Sequence, residues 1–300
     1  MSVLTLDPIL TRRAEVQRTA EASLHRRQRH SRILVWLSGT CVLVALVPLV
    51  AVVAYTIERG APAWSIDFFS HAPTPEGIPG GGIWNSIVGS LIIDGIAAGG
   101  AIPLGLLVAL FLAHSNSRVA SGIRFVTDVL SGVPSITIGI FAYGILVTTL
   151  HHFSAIAGSF GVGLIMLPIM IRASETSIRT VPADLHEAAL SLGAKNAAIA
   201  RRVTLPTALP GLVTGLLLAV ARGAGESAPL LFTAIGSQYL TTSPFGPMAA
   251  MPLTVYLNGI QAYPDLQQIA WGTGLLLLCF VLVLSVSSRI AVARLGRTSK

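Results

Sequence analysis

The chain has 300 residues, 53% of them apolar and only 11% charged, less than half of the roughly 25% charge found in soluble domains. Together with several uncharged runs longer than about 18 residues, this places it among membrane proteins rather than soluble enzymes. The net charge of +7 does not indicate nucleic acid, because the basic residues gather in particular loops as orientation signals do.

Residues 1–32 form a polar arm carrying Arg12, Arg13, Arg18, Arg26, Arg27, Arg29 and Arg32. The arm is too long for the basic region of a signal peptide, and the apolar run after it is too long for the hydrophobic region. The apolar pattern predicts six spans, at 33–57, 85–113, 123–150, 154–171, 208–235 and 266–292. The expected fold is therefore all-α and polytopic, with residues 33–293 as one membrane domain and 294–300 as a polar tail. Pro103 predicts a kink in the second span, and Pro134 a break within "LSGVPS". The stretch around "HAPTPEGIPGGGIW" and residues 236–265 read as loops. Cys41 and Cys279 lie apart inside apolar runs, and the His151–His152 pair has no third ligand at zinc spacing, so no metal site is expected.

The basic residues orient the spans. Arg118, Arg124, Arg172, Arg179, Lys195, Arg201, Arg202 and the tail share the side of the arm, while the opposite loops hold only Arg59. This predicts cytoplasmic termini. The same side receives residues 180–207, which are too long and too patterned for a simple connector. Leu185, Ala188, Ala189 and Leu192 follow i, i+3, i+4, i+7 and make one helical stripe. Pro182, Asp184 and Glu187 suit a helix start, and Gly193 suits its end. Asn196 is placed to cap a second helix carrying Ile199 and Val203, and Pro206 marks a break before the fifth span. From the pattern alone, an amphipathic connector on the headgroups and a docking site for another protein are both open.

Glu187-Ala188-Ala189, three residues, Gly193, nine residues, then Val203-Thr204-Leu205-Pro206 resembles the EAA loop of ABC importer permeases, which runs EAA, three residues, G, nine residues, I-x-L-P. Val for Ile is the single departure. The likeness extends over about residues 80–290. "GGGIWNSIVGSLIIDGIAA", "SGVPSITIGIFAYG" and "LAVARGAGESAPLLFTAIG" resemble the phosphate-specific branch of that family. The resemblance implies the architecture of a type I importer permease, with Glu187, Ala188, Ala189, Gly193, Val203, Leu205 and Pro206 seated on a cytoplasmic ATPase. It also implies a sister permease, an extracytoplasmic phosphate-binding protein and inorganic phosphate as cargo. No catalytic residue or cofactor is expected in this chain. A P-loop needs GxxxxGK[ST], and neither Lys195 nor Lys300 is so placed, so ATP and Mg²⁺ belong to the partner ATPase.

An ionisable side chain at mid-bilayer costs about 2.5–3.5 kcal/mol even on the mildest scale, so each needs a reason. Arg222 and Glu226, four apart in the fifth span, can pair on one helix face beside Gly223, Gly225 and Pro229, which weaken the helix. A guanidinium fork suits a tetrahedral oxyanion. A substrate-pathway role for Arg222 and Glu226 and a purely structural ion pair both remain open. Asp128 has Arg124 at i−4 as its expected surface partner, and a place facing another subunit is open for Asp94. Gly95 and Gly99, and Gly211 and Gly215, are spaced for close helix approach. The expected function is the permease subunit of an ATP-driven phosphate importer. Import of another oxyanion such as sulfate or molybdate, or a stand-alone carrier or channel, are the alternatives.

Overall fold

The computed structural model describes residues 8–75, 78 and 80–295. These form helices and connections, with one isolated bridge between Ile235 and Met248 and no named strand. The chain divides between Tyr55 and Thr56 into two compact units. The first is occupied by α1 (Pro8–Gly60), whose last residues belong to the second. The basic arm runs into the first apolar stretch without a helical break, so the expected boundary at residue 32 marks a change of composition only. The first seven residues of the arm, and residues 296–300 of the tail, lie outside the described residues.

The second unit comprises α2 (Ile66–Ser70), α3 (Trp84–His114), α4 (Arg118–Gly132), α5 (Ser135–Ala142), α6 (Thr148–Leu150), α7 (Ala155–Arg179), α8 (Ala183–Ser191), α9 (Asn196–Ile199), α10 (Leu205–Ala224), α11 (Ala228–Thr233), α12 (Met251–Gly259) and α13 (Pro264–Leu295). Across the described residues five helical stretches are long and apolar enough to cross a membrane: Ser31–Ala63, Trp84–His114, Ala155–Arg179, Asn196–Ala224 and Pro264–Ser287. A sixth crossing is reached only by joining Arg118–Gly132 to Ser135–Leu150, which meet at 106°. The break expected at Pro134 is therefore found within the expected third span, as a sharp bend between two helices. Pro134 has no N–H to continue a helix and holds Val133 in extended backbone (φ −71°, ψ 130°), so the helix direction changes there.

α7 is the axis of the second unit and buries fourteen residues along its length. It extends eight residues beyond the expected end at 171, because Ser174, Glu175 and Ile178 are covered by neighbouring helices rather than by water. Its first N–H groups are satisfied from outside the helix. Ser154, Ala155 and Ile156 donate to the carbonyls of Thr233, Gly246 and Pro244 at 2.9, 3.0 and 2.9 Å, and Ser154 Oγ accepts from Ala157 N at 3.3 Å. These contacts answer the orphan donors of a helix start. They also tie the connection before α12 to the axis.

Small residues let α10 lie against α7. A Cβ on Gly215 would fall 2.5 Å from Ala173 Cβ, and one on Gly211 would overlap Ser177. Gly95 and Gly99 of α3 behave differently, with no atom within 4 Å of an added Cβ. Residues 236–265, expected as a surface loop, are in part core. Met248, Ala250 and Leu253 are 1% exposed, and Met251 N donates to the buried Ser90 Oγ at 2.7 Å. The apolar run "MAAMPL" satisfies its backbone there through α3 and the start of α12, which makes burial possible.

Candidate functional site

Residues 180–207 project from the bundle as a handle, and local rules build it. α8 begins after Pro182 and ends with Gly193 at φ +76°. Gly193 N donates to Leu190 O at 2.8 Å and Ala194 N to Ala189 O at 3.1 Å, the paired closing bonds of a Schellman turn. No residue of α8 is buried, and along its apolar stripe Leu185 is 43% and Leu192 88% exposed. Glu187 and Ala188 are exposed and Ala189 half-buried. The stripe expected to meet a partner is not consumed by this chain. A Cβ on Gly193 would also meet nothing within 4 Å.

The second half of the handle departs from expectation. Lys195, not Asn196, occupies the N-cap position, and Asn196 is the first helical residue. Pro206 does not break the chain. Residues Ala200–Thr204 form a π-turn that runs directly into α10, giving one helical stretch over Asn196–Ala224. The wider turn accommodates the missing N–H and ring of Pro206 near the start of α10. Val203 and Leu205 are half-buried in this joint and Pro206 is exposed, while Ile199 and Thr204 beside them are buried.

At the base of the handle lies a charged cluster whose pairing the sequence did not reveal. Glu175 is 6% exposed. Its Oε1 takes Arg124 Nε at 2.8 Å and Arg179 Nη2 at 3.0 Å. Arg124 Nη2 also donates to Leu112 O at 2.6 Å and Ser115 O at 3.1 Å, and Arg179 Nη2 reaches Leu112 O at 3.3 Å. Two guanidinium groups thereby cap the last carbonyls of α3, where the helix dipole favours positive charge. The surface pair expected between Arg124 and Asp128 does not form. Asp128 pairs with Arg172 of α7 instead. Long-range packing overrides the i,i+4 geometry because a carboxylate inside the core needs close positive partners far more than an exposed one does. Glu175 carried one legible signal, an acidic residue between Arg172 and Arg179, but the expected span stopped short of it.

At the other end of α10, Arg222 and Glu226 come together as expected. Arg222 Nη2 is 2.6 Å from Glu226 Oε1, with side chains 59% and 8% exposed. No N–H is aimed at that buried oxygen, so the contact is Coulombic and leaves an acceptor unfilled. The helix breaks where expected: α10 ends at Ala224, and α11 starts at Ala228 after Gly225. Most of the guanidinium fork is therefore open while its charge is anchored. Just beyond α11, Ile235 holds φ +56° and Gly236 φ +87°. For a β-branched residue this backbone costs about 1–2 kcal/mol. Among the described residues no group of three or more His, Cys, Asp or Glu could hold a metal ion.

An exposed handle at one end of a helix bundle, continuous through one span with a charged pair at a helix break, is an arrangement suited to a membrane transport subunit. Comparison with known proteins agrees. The family described as binding-protein-dependent transport system inner membrane component matches residues 101–299. The phosphate transport system permease protein PstA of Haemophilus influenzae is 36% identical over 88% of this chain and 94% of its own length. PstA of Yersinia pestis is 35% identical over 89% and 92%, and PstA 1 of Mycobacterium tuberculosis 34% identical over 83% of each. A chain of the MetNI methionine ABC transporter, in an inward-facing conformation, shares the fold with a TM-score of 0.57 at 18% identity, over 71% of this chain and 94% of that one. The chain belongs to the binding-protein-dependent family of inner membrane transport components, and over most of its length it is similar to PstA.

Proposed function

We propose that this chain is the permease subunit of an ATP-driven phosphate importer. It forms half of the translocation pathway beside a sister permease, and it receives work from a cytoplasmic ATPase seated on Glu187, Ala188, Ala189 and Gly193. The observation that carries this reading is the unbroken helical stretch from Asn196 to Ala224. At 1.5 Å per residue it links the foot of the handle to Arg222 over about 39 Å, so a push on the handle reaches the charged pair as a rigid-body movement. Val203, Leu205 and Pro206 lie at the joint, where the π-turn continues into α10.

The distribution of basic residues supports cytoplasmic termini and a cytoplasmic handle in the bacterial inner membrane. An extracytoplasmic phosphate-binding protein then meets the opposite end. ATP and Mg²⁺ act in the ATPase partner. Arg222 lines the phosphate route, and Glu226 anchors the guanidinium so that its free donors face the anion. The PstA relatives favour phosphate over sulfate or molybdate.

The test uses the whole complex in liposomes, loaded with ATP and supplied with binding protein. Gly193→Asp is expected to insert and keep its ATPase bound but to lose phosphate uptake, since the new side chain projects onto the docking face. Normal uptake by this variant removes the handle from the mechanism. Uptake that sulfate or molybdate outcompetes at equal concentration transfers the reading to another oxyanion.

A further inference from the structure

At the end of the second unit opposite the handle, a cavity of about 310 Å³ opens between the start of α3, the turn after Ile235 and α12. Among the described residues its lining contains no Asp, Glu, Lys, Arg or His; its polar wall includes Asn85, Ser86, Ser237, Gln238, Thr254 and Asn258. Asn85 is 4% and Ser86 2% exposed, which is costly for polar side chains in an apolar bundle unless they are bonded. They are bonded to the wall itself. Asn85 Nδ2 donates to Ser237 O at 2.7 Å, and Ser86 Oγ lies 2.7 Å from Thr254 Oγ1. Thr254 Oγ1 also reaches Ala250 O at 3.1 Å and Ser86 Oγ reaches Asn85 Oδ1 at 3.4 Å, so these groups form one connected network.

This scaffold leaves donors unspent. The amides of Asn258 and Gln238 have no partner among the described residues, and neither do the backbone N–H groups of Ser237 and Gln238. The left-handed backbone at Ile235 and Gly236 turns the chain so that Ser237 and Gln238 line the cavity. Polar walls with surplus N–H groups, and no charged side chain among the described lining residues, suit an anion that is held briefly. Neutral donors replace part of its hydration, and no charged side chain of the described lining repels or traps it. A pathway needs sites favourable enough to enter and weak enough to leave.

We propose that this cavity is a waiting site for a tetrahedral oxyanion, inorganic phosphate, bound by neutral hydrogen-bond donors. The inference rests on the importer reading above, but its test is separable. Gln261, on the cavity rim, is replaced by Cys in a Cys41→Ser, Cys279→Ser background. The rate of modification by a bulky maleimide is then read in the nucleotide-free complex in nanodiscs. Phosphate at ten times its dissociation constant is expected to slow labelling about tenfold, and complete labelling to block uptake. Asn258→Leu is expected to shift protection to higher phosphate; where that variant fails to assemble, Gln238→Leu serves instead. Protection by sulfate and not by phosphate keeps the oxyanion site and overturns the phosphate reading. Labelling indifferent to both anions, in a complex that imports phosphate, overturns the waiting site and leaves the importer standing. Protection by binding protein alone also overturns it, since the cavity is then a protein socket.

Discussion

Arg124 and Glu175, 51 residues apart, meet at 2.8 Å with the carboxylate buried, and the same guanidinium holds the last carbonyls of α3. One side chain therefore fastens α3, α4 and α7 together beside the root of the handle. Glu175→Gln leaves two guanidinium groups without a counter-charge. The expected loss is about 2–3 kcal/mol, below the roughly 3–5 of a wholly buried pair because Arg179 is half exposed. Thermal unfolding of the detergent-solubilised chain measures it. The double variant Arg124→Ala, Glu175→Ala is expected to lose less than the sum of the singles; strict additivity rules out the coupling.

Arg222→Lys keeps the positive charge near Glu226 but loses the planar fork. The complex is expected to assemble with its partners and to lose most phosphate uptake, because an ammonium cannot offer two parallel donors to an oxyanion. Loss of assembly with the partners instead identifies the Arg222–Glu226 contact as a structural pair.

Two glycine pairs with the same spacing are expected to respond oppositely. Gly215→Leu drives a side chain into Ala173 of α7 and is expected to cost about 1–3 kcal/mol as α10 shifts outward. Gly99→Ala meets open space and adds helix propensity of just under about 1 kcal/mol. Melting temperatures of the solubilised chain are expected to fall for the first and hold or rise for the second.

Gly193→Ala retains space for its methyl group but not the easy left-handed backbone at φ +76°. Loss of about 1 kcal/mol is expected, and it is confined to the handle. Hydrogen exchange is expected to quicken at Gly193 and Ala194, whose N–H groups close the turn, and to stay unchanged in α7. Faster exchange throughout α7 shows instead that the turn supports the whole bundle.

Local chemistry is legible in the amino-acid order alone. Apolar length marks most of the spans, Gly193 marks the end of α8, and the i,i+4 spacing of Arg222 and Glu226 foretells their contact, since each depends on neighbours within a turn or two of helix. The pattern of residues 180–207 and the placement of arginines belong to the same class. Partner choice across the bundle is not legible. The i,i+4 rule assigns Arg124 to Asp128, whereas folding brings α7 close enough for Glu175 to claim Arg124 and for Arg172 to claim Asp128. Likewise, nothing local tells whether Pro206 ends a helix or is absorbed by a π-turn, or whether residues 248–253 face water or the core. Chain-local propensities and lipid solvation act on short stretches, so a single sequence displays them. The desolvation of a carboxylate, the closing of a cavity and the continuity of a lever depend on residues brought together from distant parts of the chain, and only the tertiary structure decides which ones meet.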